Sequence, residues 1–249
     1  MASKTAKPNE FRVDLSRPTG FRGWVYEIWP KLANGMAKAL WFWEVRGSEH
    51  IPRDGAMMLI ANHPSFLDPP SMVAMVNHYG YRDLSIMAHV GLFKIPIVSF
   101  FCRNYKAYPV NRKNPGRGPY VTLTNILKDG GMAGVFPEGS RSKTELMGEW
   151  KAGALRAAIA QKATIMPVSN ITASRIWPRT KRFPRIFKKL IIQIHKPIPY
   201  EEYMKNKPED VRPKDYQETV AENIREQINQ PIREELGLKD KSTDGADNK

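Results

Sequence analysis

The chain has 249 residues, 41% of them hydrophobic, with a formal net charge of +14 and a single cysteine. That length and apolar content suit one α/β domain with an adornment, and the positive field around it attracts polyanions such as nucleic acid, anionic lipid headgroups or phosphorylated substrates. One cysteine excludes an intramolecular disulfide and favours a reducing compartment; Cys102, beside the apolar run 98–101, reads as a packed thiol.

Residues 1–9 are polar and lack the apolar stretch of a secretory signal, which predicts a protein on the cytoplasmic side. No run approaches the roughly 18 to 20 apolar residues of a spanning helix, because Lys31, Lys38, Lys94 and Arg103 interrupt the best candidates. A membrane role is therefore expected to be peripheral. Residues 20–45 hold Phe21, Trp24, Ile28, Trp29, Leu32, Met36, Leu40 and Trp41 at largely helical spacing, with Pro30 breaking the run. This predicts a pair of short amphipathic helices. Four of the six tryptophans lie in the segment beside Lys31 and Lys38, which suits either an interfacial segment or a helical pair packed on the body.

Beyond residue 45, short apolar runs alternate with helical stretches, the signature of helices flanking a mostly parallel central sheet. Strands are expected at 56–61, 84–88, 107–110, 132–136, 164–168 and 190–194, and helices at 69–78, 119–128 and 151–161. A final helix at 215–228 reads as polar on most faces, and the mixed-charge tail 239–249 as disordered. The expected organisation is an interfacial segment over 1–45, a core over 46–200 and a helical extension with tail over 201–249.

Two blocks carry chemistry. The first, Asn62-His63-Pro64-Ser65-Phe66-Leu67-Asp68, follows a predicted strand, where sheet proteins of this class place their ligands. His63 has the side chain suited to general-base work near neutrality, and Asp68 is placed to hold its second ring nitrogen. Spacing alone is weak, because His78 and Asp83 stand the same distance apart at a helix end without a preceding buried strand. The second block, Phe136-Pro137-Glu138-Gly139-Ser140-Arg141-Ser142, also follows an apolar strand. Gly139 allows close backbone approach, Arg141 offers a fork for phosphate, and Ser140 and Ser142 offer hydroxyls, an anion cradle in outline. Glu138 would repel a phosphate, so its carboxylate is expected to bond a substrate hydroxyl or to hold Arg141.

In this order and spacing the two blocks resemble the glycerolipid acyltransferase family, most closely its 1-acyl-glycerol-3-phosphate (lysophosphatidic acid) acyltransferases, over roughly residues 45–198. The acceptor-binding block of that family is matched by 105–112, ending in Arg112, and its later proline-centred block by 165–168, which makes Pro167 an acyl-site candidate. The family often has an acidic residue before that arginine and a lysine ending the preceding strand, where this chain has Asn111 and His89. The resemblance implies a glycerol-3-phosphate acyltransferase-like fold. It also implies transfer of a fatty acyl group from acyl-CoA or acyl carrier protein, as co-substrate, to the free hydroxyl of lysophosphatidic acid. His63 would be general base with Asp68 orienting it, and Arg112 and Arg141 would hold the acceptor phosphate with Lys106 and Lys113 adding field. No cofactor or metal is expected, since the five histidines are scattered and general-base chemistry needs no ion.

Residues 174–189 interleave seven basic residues with Trp177, Phe183 and Phe187, and with 20–45 they predict monotopic docking on an anionic membrane surface. Two alternatives follow. The same chemistry could act on glycerol-3-phosphate or another lysophospholipid, or the chain could be a non-catalytic basic module binding anionic membrane or nucleic acid, which would leave both blocks unexplained.

Overall fold

The computed structural model describes residues 13–80, 82–111, 116–150, 153–213 and 215–238. Its elements in chain order are α1 (Gly20–Trp41), β1 (Glu44–Arg46), β2 (Met57–Ala61), α2 (Asp68–Gly80), β3 (Leu84–His89), α3 (Pro96–Asn104), β4 (Tyr108–Val110) and α4 (Gly118–Lys128). There follow β5 (Met132–Val135), α5 (Gly153–Ala160), β6 (Thr164–Asn170), α6 (Ala173–Ile176), β7 (Ile191–Ile194), α7 (Tyr200–Tyr203) and α8 (Gln217–Leu236).

The strands form one seven-stranded sheet in the order β1-β7-β6-β2-β5-β3-β4. All neighbours run parallel except β6 and β7. Helices cover both faces, so β2 at the centre is apolar and buried along its whole length. Its alternating side chains feed two cores: Met58 and Ile60 pack with α4, α5 and α8, while Met57, Leu59 and Ala61 pack with α2 and α1. All six expected strands and the three expected inter-strand helices form. Four elements have no counterpart in the sequence expectation, two of them the four-residue helices α6 and α7. The edge strand β1 is three residues long and charged at both ends, as edge strands often are, and α3 begins at Pro96, just ahead of the apolar run 98–101.

The expected helical pair at 20–45 is instead one 22-residue helix that passes through Pro30. Proline there removes the amide that would bond the Tyr26 carbonyl. The Tyr105 hydroxyl replaces it, 3.3 Å from the Val25 carbonyl and 3.5 Å from that of Tyr26. Tyr26, Pro30, Asn34 and Ala37 form the buried stripe, and the Tyr26 hydroxyl donates to Asp83, whose carboxyl is raised by burial. Among the described residues no helix is long and apolar enough to cross a membrane. The last helix also departs from expectation: α8 runs to Leu236 and buries Val220, Ile224, Ile228 and Ile232, a stripe at four-residue spacing against the body. The tail 239–249 lies outside the described residues.

Candidate active site

The site gathers at the carboxyl ends of β2, β5 and β3, three adjacent parallel strands. Immediately after β2 the chain turns through Asn62 and His63, and α2 begins at Asp68. Asn62 and Asn170, at the ends of neighbouring strands, lock to each other. The Asn170 amide donates to Asn62 Oδ1 at 2.7 Å, and Asn170 Nδ2 donates to the Asn62 carbonyl at 2.8 Å. Asn62 Nδ2 donates to the carbonyls of Asn170 and Glu145, each at 3.1 Å.

His63 is thereby delivered to one orientation. Its Nδ1 lies 2.8 Å from Asp68 Oδ2, which also accepts the Ser65 amide at 2.7 Å. Its ring stacks on Phe136 with centroids 4.2 Å apart. Asp68 is fully buried at the start of α2, where the helix dipole favours its negative form. Burial nonetheless pushes its carboxyl up to about 6, with the bond to His63 pulling the other way. At neutral pH the ionised carboxylate can only accept, so Nδ1 carries the imidazole proton and Nε2 keeps its lone pair.

The second block braces the first. Glu138 Oε1 accepts the His63 amide at 2.9 Å and Oε2 accepts the Gly148 amide at 3.4 Å, while the Ser142 amide donates to the His63 carbonyl at 2.8 Å. Glu138 thus bonds backbone amides of the turn and of the loop beyond it, and burial raises its carboxyl. Gly139 sits at φ +70°, a conformation that other residues adopt only with strain. Arg141 lays its guanidinium over the Phe66 ring, 3.4 Å from the centroid.

His63, Gly139 and Arg141 line a cavity of about 920 Å³ with mostly apolar walls, among them Ile86, Leu123, Val98 and Phe101. Trp29, Pro30 and Ala33 of α1 roof it, and His89 at the end of β3 stands on its wall with Nδ1 accepting the Gly91 amide. Several residues singled out in the sequence fall elsewhere. Lys106 is buried at a left-handed φ and donates its ammonium to the Ser16 carbonyl, so it anchors the chain ahead of α1 instead of lining the cavity. Pro167 lies inside the sheet opposite Ile60, with its carbonyl taking the His195 amide, and Ser140 is exposed; neither lines the cavity. Ser142 Oγ closes its own turn on the Leu146 carbonyl. Arg112 and Lys113 lie outside the described residues. His78 and Asp83 do not pair, for Asp83 serves Tyr26.

Some supporting residues left no sequence signal. Asn170 ends a strand like many others, and Asn229 of α8 takes the Met147 amide at 2.7 Å, steadying the loop that reaches Glu138. Trp177 holds the turn from the far side: its carbonyl accepts Ser65 Oγ at 2.9 Å and the Phe66 amide at 3.2 Å. Among the described residues no group of three or more His, Cys, Asp or Glu side chains is placed to hold a metal ion.

A buried histidine–carboxylate pair thus stands at the carboxyl edge of a parallel sheet beside an apolar cavity with an arginine on its wall, and the chain belongs to the acyltransferase family. The family's model matches residues 43–170, just over half of the chain. The chain is 27% identical over 158 residues to the chloroplastic 1-acyl-sn-glycerol-3-phosphate acyltransferase of Arabidopsis thaliana, covering 62% of this chain and 43% of that one. It is 28% identical over 126 residues to the 1-acyl-sn-glycerol-3-phosphate acyltransferase of Bacillus subtilis, covering 51% and 61%. The chain thus spans about half the length of these curated relatives. Its fold is that of the 1-acyl-sn-glycerophosphate acyltransferase PlsC from Thermotoga maritima, with a TM-score of 0.65 and 25% identity over 88% of this chain and 82% of that one.

Proposed function

We propose that this chain transfers a fatty acyl group from the thioester of acyl-CoA or acyl carrier protein to the free hydroxyl of lysophosphatidic acid, giving phosphatidic acid. The observation that carries the reading is the pairing of His63 with Asp68 on the wall of an apolar cavity that also holds Arg141. The relatives named for this reaction support the choice of acceptor.

His63 Nε2 takes the proton of the acceptor hydroxyl as its oxygen attacks the thioester carbonyl carbon. Asp68 holds the tautomer and stabilises the imidazolium that forms. The tetrahedral intermediate collapses by breaking the carbon–sulfur bond, and the imidazolium returns its proton to the leaving thiolate, so no acyl-enzyme is required. Arg141, resting over Phe66, takes the acceptor phosphate, while the apolar cavity accommodates the acyl chain. The exposed apolar side chains of α1 and the basic, aromatic stretch 174–189 hold the protein on the cytoplasmic face of the membrane, where acceptor and product reside.

The test is thiol release from palmitoyl-CoA in mixed micelles with lysophosphatidic acid, glycerol-3-phosphate or other lysophospholipids as acceptor. Release is expected with lysophosphatidic acid, and His63→Ala should lower it by about a thousandfold with an unchanged circular dichroism spectrum. Release with a different acceptor moves the substrate and keeps the chemistry, whereas near-normal activity of the variant removes His63 from its role.

A further inference from the structure

Phe66 stands in the middle of the turn 62–68, three residues after His63 and two before Asp68. It is a large aromatic side chain left 40% exposed on the wall of the cavity, so burial explains little of its placement. The chain holds it firmly all the same. The Trp177 carbonyl accepts its amide at 3.2 Å, and its ring packs on the Trp177 ring with centroids 5.1 Å apart. The Arg141 guanidinium rests 3.4 Å from the centroid of the Phe66 ring, close enough for cation–π attraction.

The segment that carries Arg141 is tied to His63 on both sides of it. The Glu138 carboxylate accepts the His63 amide at 2.9 Å, and the Ser142 amide donates to the His63 carbonyl at 2.8 Å. Beyond the backbone an arginine side chain keeps several rotatable torsions, and the flat face of Phe66 selects among them. His63 and the ring under Arg141 belong to one short turn, so the proton acceptor and the cation of the cavity are set at one spacing. That spacing matters to the acceptor. In a lysophosphatidic acid the free hydroxyl lies on the carbon next to the phosphorylated one or on the carbon beyond it. The second position is roughly 1 to 2 Å further from the phosphate, and a misplacement of about 1 Å can cost on the order of a hundredfold in rate.

We infer that Phe66 is a positioning residue that acts through Arg141 and sets which hydroxyl of a lysophosphatidic acid is acylated. The inference rests on the acyl-transfer reading with Arg141 on the acceptor phosphate. With Phe66 in place, the phosphate is held where the hydroxyl on the neighbouring carbon meets His63 Nε2. Without the ring the guanidinium shifts and carries the phosphate with it, and the further hydroxyl comes within reach as well.

The test offers the full chain palmitoyl-CoA with 1-O-hexadecyl- or 2-O-hexadecyl-glycerol 3-phosphate, whose ether links cannot migrate. The parent should favour the 1-O isomer by about tenfold or more in kcat/KM. Phe66→Leu should raise KM for that isomer about fivefold and bring the preference below about threefold, while Phe66→Tyr, which keeps the aromatic face, should retain the parent values. A merely structural defect would lower turnover of both isomers alike and leave their ratio unchanged. Calorimetric binding of 1-O-hexyl-glycerol 3-phosphate without donor gives a second readout, expected to be about fivefold weaker in Phe66→Leu. An unchanged preference in Phe66→Leu, a lost preference in Phe66→Tyr, or equal binding by parent and Phe66→Leu would each overturn the inference. No turnover of either isomer by the parent would overturn the reaction and the choice of hydroxyl with it, while the binding still decides whether Phe66 positions Arg141.

Discussion

The turn 62–68 and the rim formed by α1 with residues 178–189 lie side by side and are built on opposite principles. The turn is closed on every side. Asn170 and Glu138 hold Asn62 and the His63 amide, Ser142 takes the His63 carbonyl, Asp68 takes the ring, and Trp177 takes Ser65 and Phe66. The rim leaves large apolar side chains such as Phe21, Trp24, Phe183 and Phe187 in solvent and meets the turn at Trp177 and Pro178. Proton transfer demands placement within tenths of an ångström, which a dense set of hydrogen bonds provides. A bilayer has no fixed atoms to match, so area and charge serve better there than geometry.

The sharpest way to break this contrast is at Asp68. A carboxyl raised from its ordinary value near 3.8 to about 6 keeps its proton longer in the folded state than in the unfolded one. Stability should therefore fall as pH rises from about 4 to 6, and the buried charge at pH 7 is carried at up to about 3 kcal/mol. Asp68→Asn should lower turnover by about a hundredfold or more, because the tautomer is no longer fixed. At pH 7 the variant should be at least as stable as the parent in urea, with a flatter stability profile between pH 4 and 6. A large loss of stability at pH 7 would mean that the pair is structural.

Asn170→Ala tests whether the bonds behind the turn matter as much as those facing the cavity. It removes the side-chain hydrogen bond to the buried Asn62 carbonyl and keeps the backbone bonds of residue 170, so unfolding free energy should drop by about 2 kcal/mol, with activity falling in proportion to misplacement of His63. The smallest effect is expected at the rim's own anchor. Tyr105→Phe removes the hydroxyl that reaches the Tyr26 carbonyl freed by Pro30 and should cost about 1 kcal/mol, read as a small fall in melting temperature. A larger fall would show α1 to be integral to the core and not a surface attachment.

Much of the sheet was legible in the sequence because buried parallel strands read as short apolar runs, and 56–61 became a strand buried on both faces. The His63–Asp68 pair was legible because both residues lie in one turn after such a strand. Glu138 was recognised as part of the site, but its bond to the His63 amide was not legible, since nothing local says that a carboxylate will face the amide of a residue in the other block. Lys106 looked like a phosphate ligand because it is basic and near Arg112; its left-handed backbone turns it toward Ser16. Proline at 30 predicted a break, and only the tyrosine at 105, distant in sequence, makes the continuous helix affordable in hydrogen bonds.

By itself the sequence determined the strand pattern, the two chemical blocks and the excess of positive charge, all of which are local properties of residue type and period. The tertiary structure decided which polar groups meet. It set α1 over the cavity, turned Glu138 to the back of His63, moved Lys106 and Pro167 away from the cavity, and rooted the cationic stretch 178–189 on Trp177 beneath the turn 62–68. The reason is physical: a buried polar atom takes whichever partner the packing of distant segments brings within about 3 Å, and periodicity along the chain carries no record of that choice.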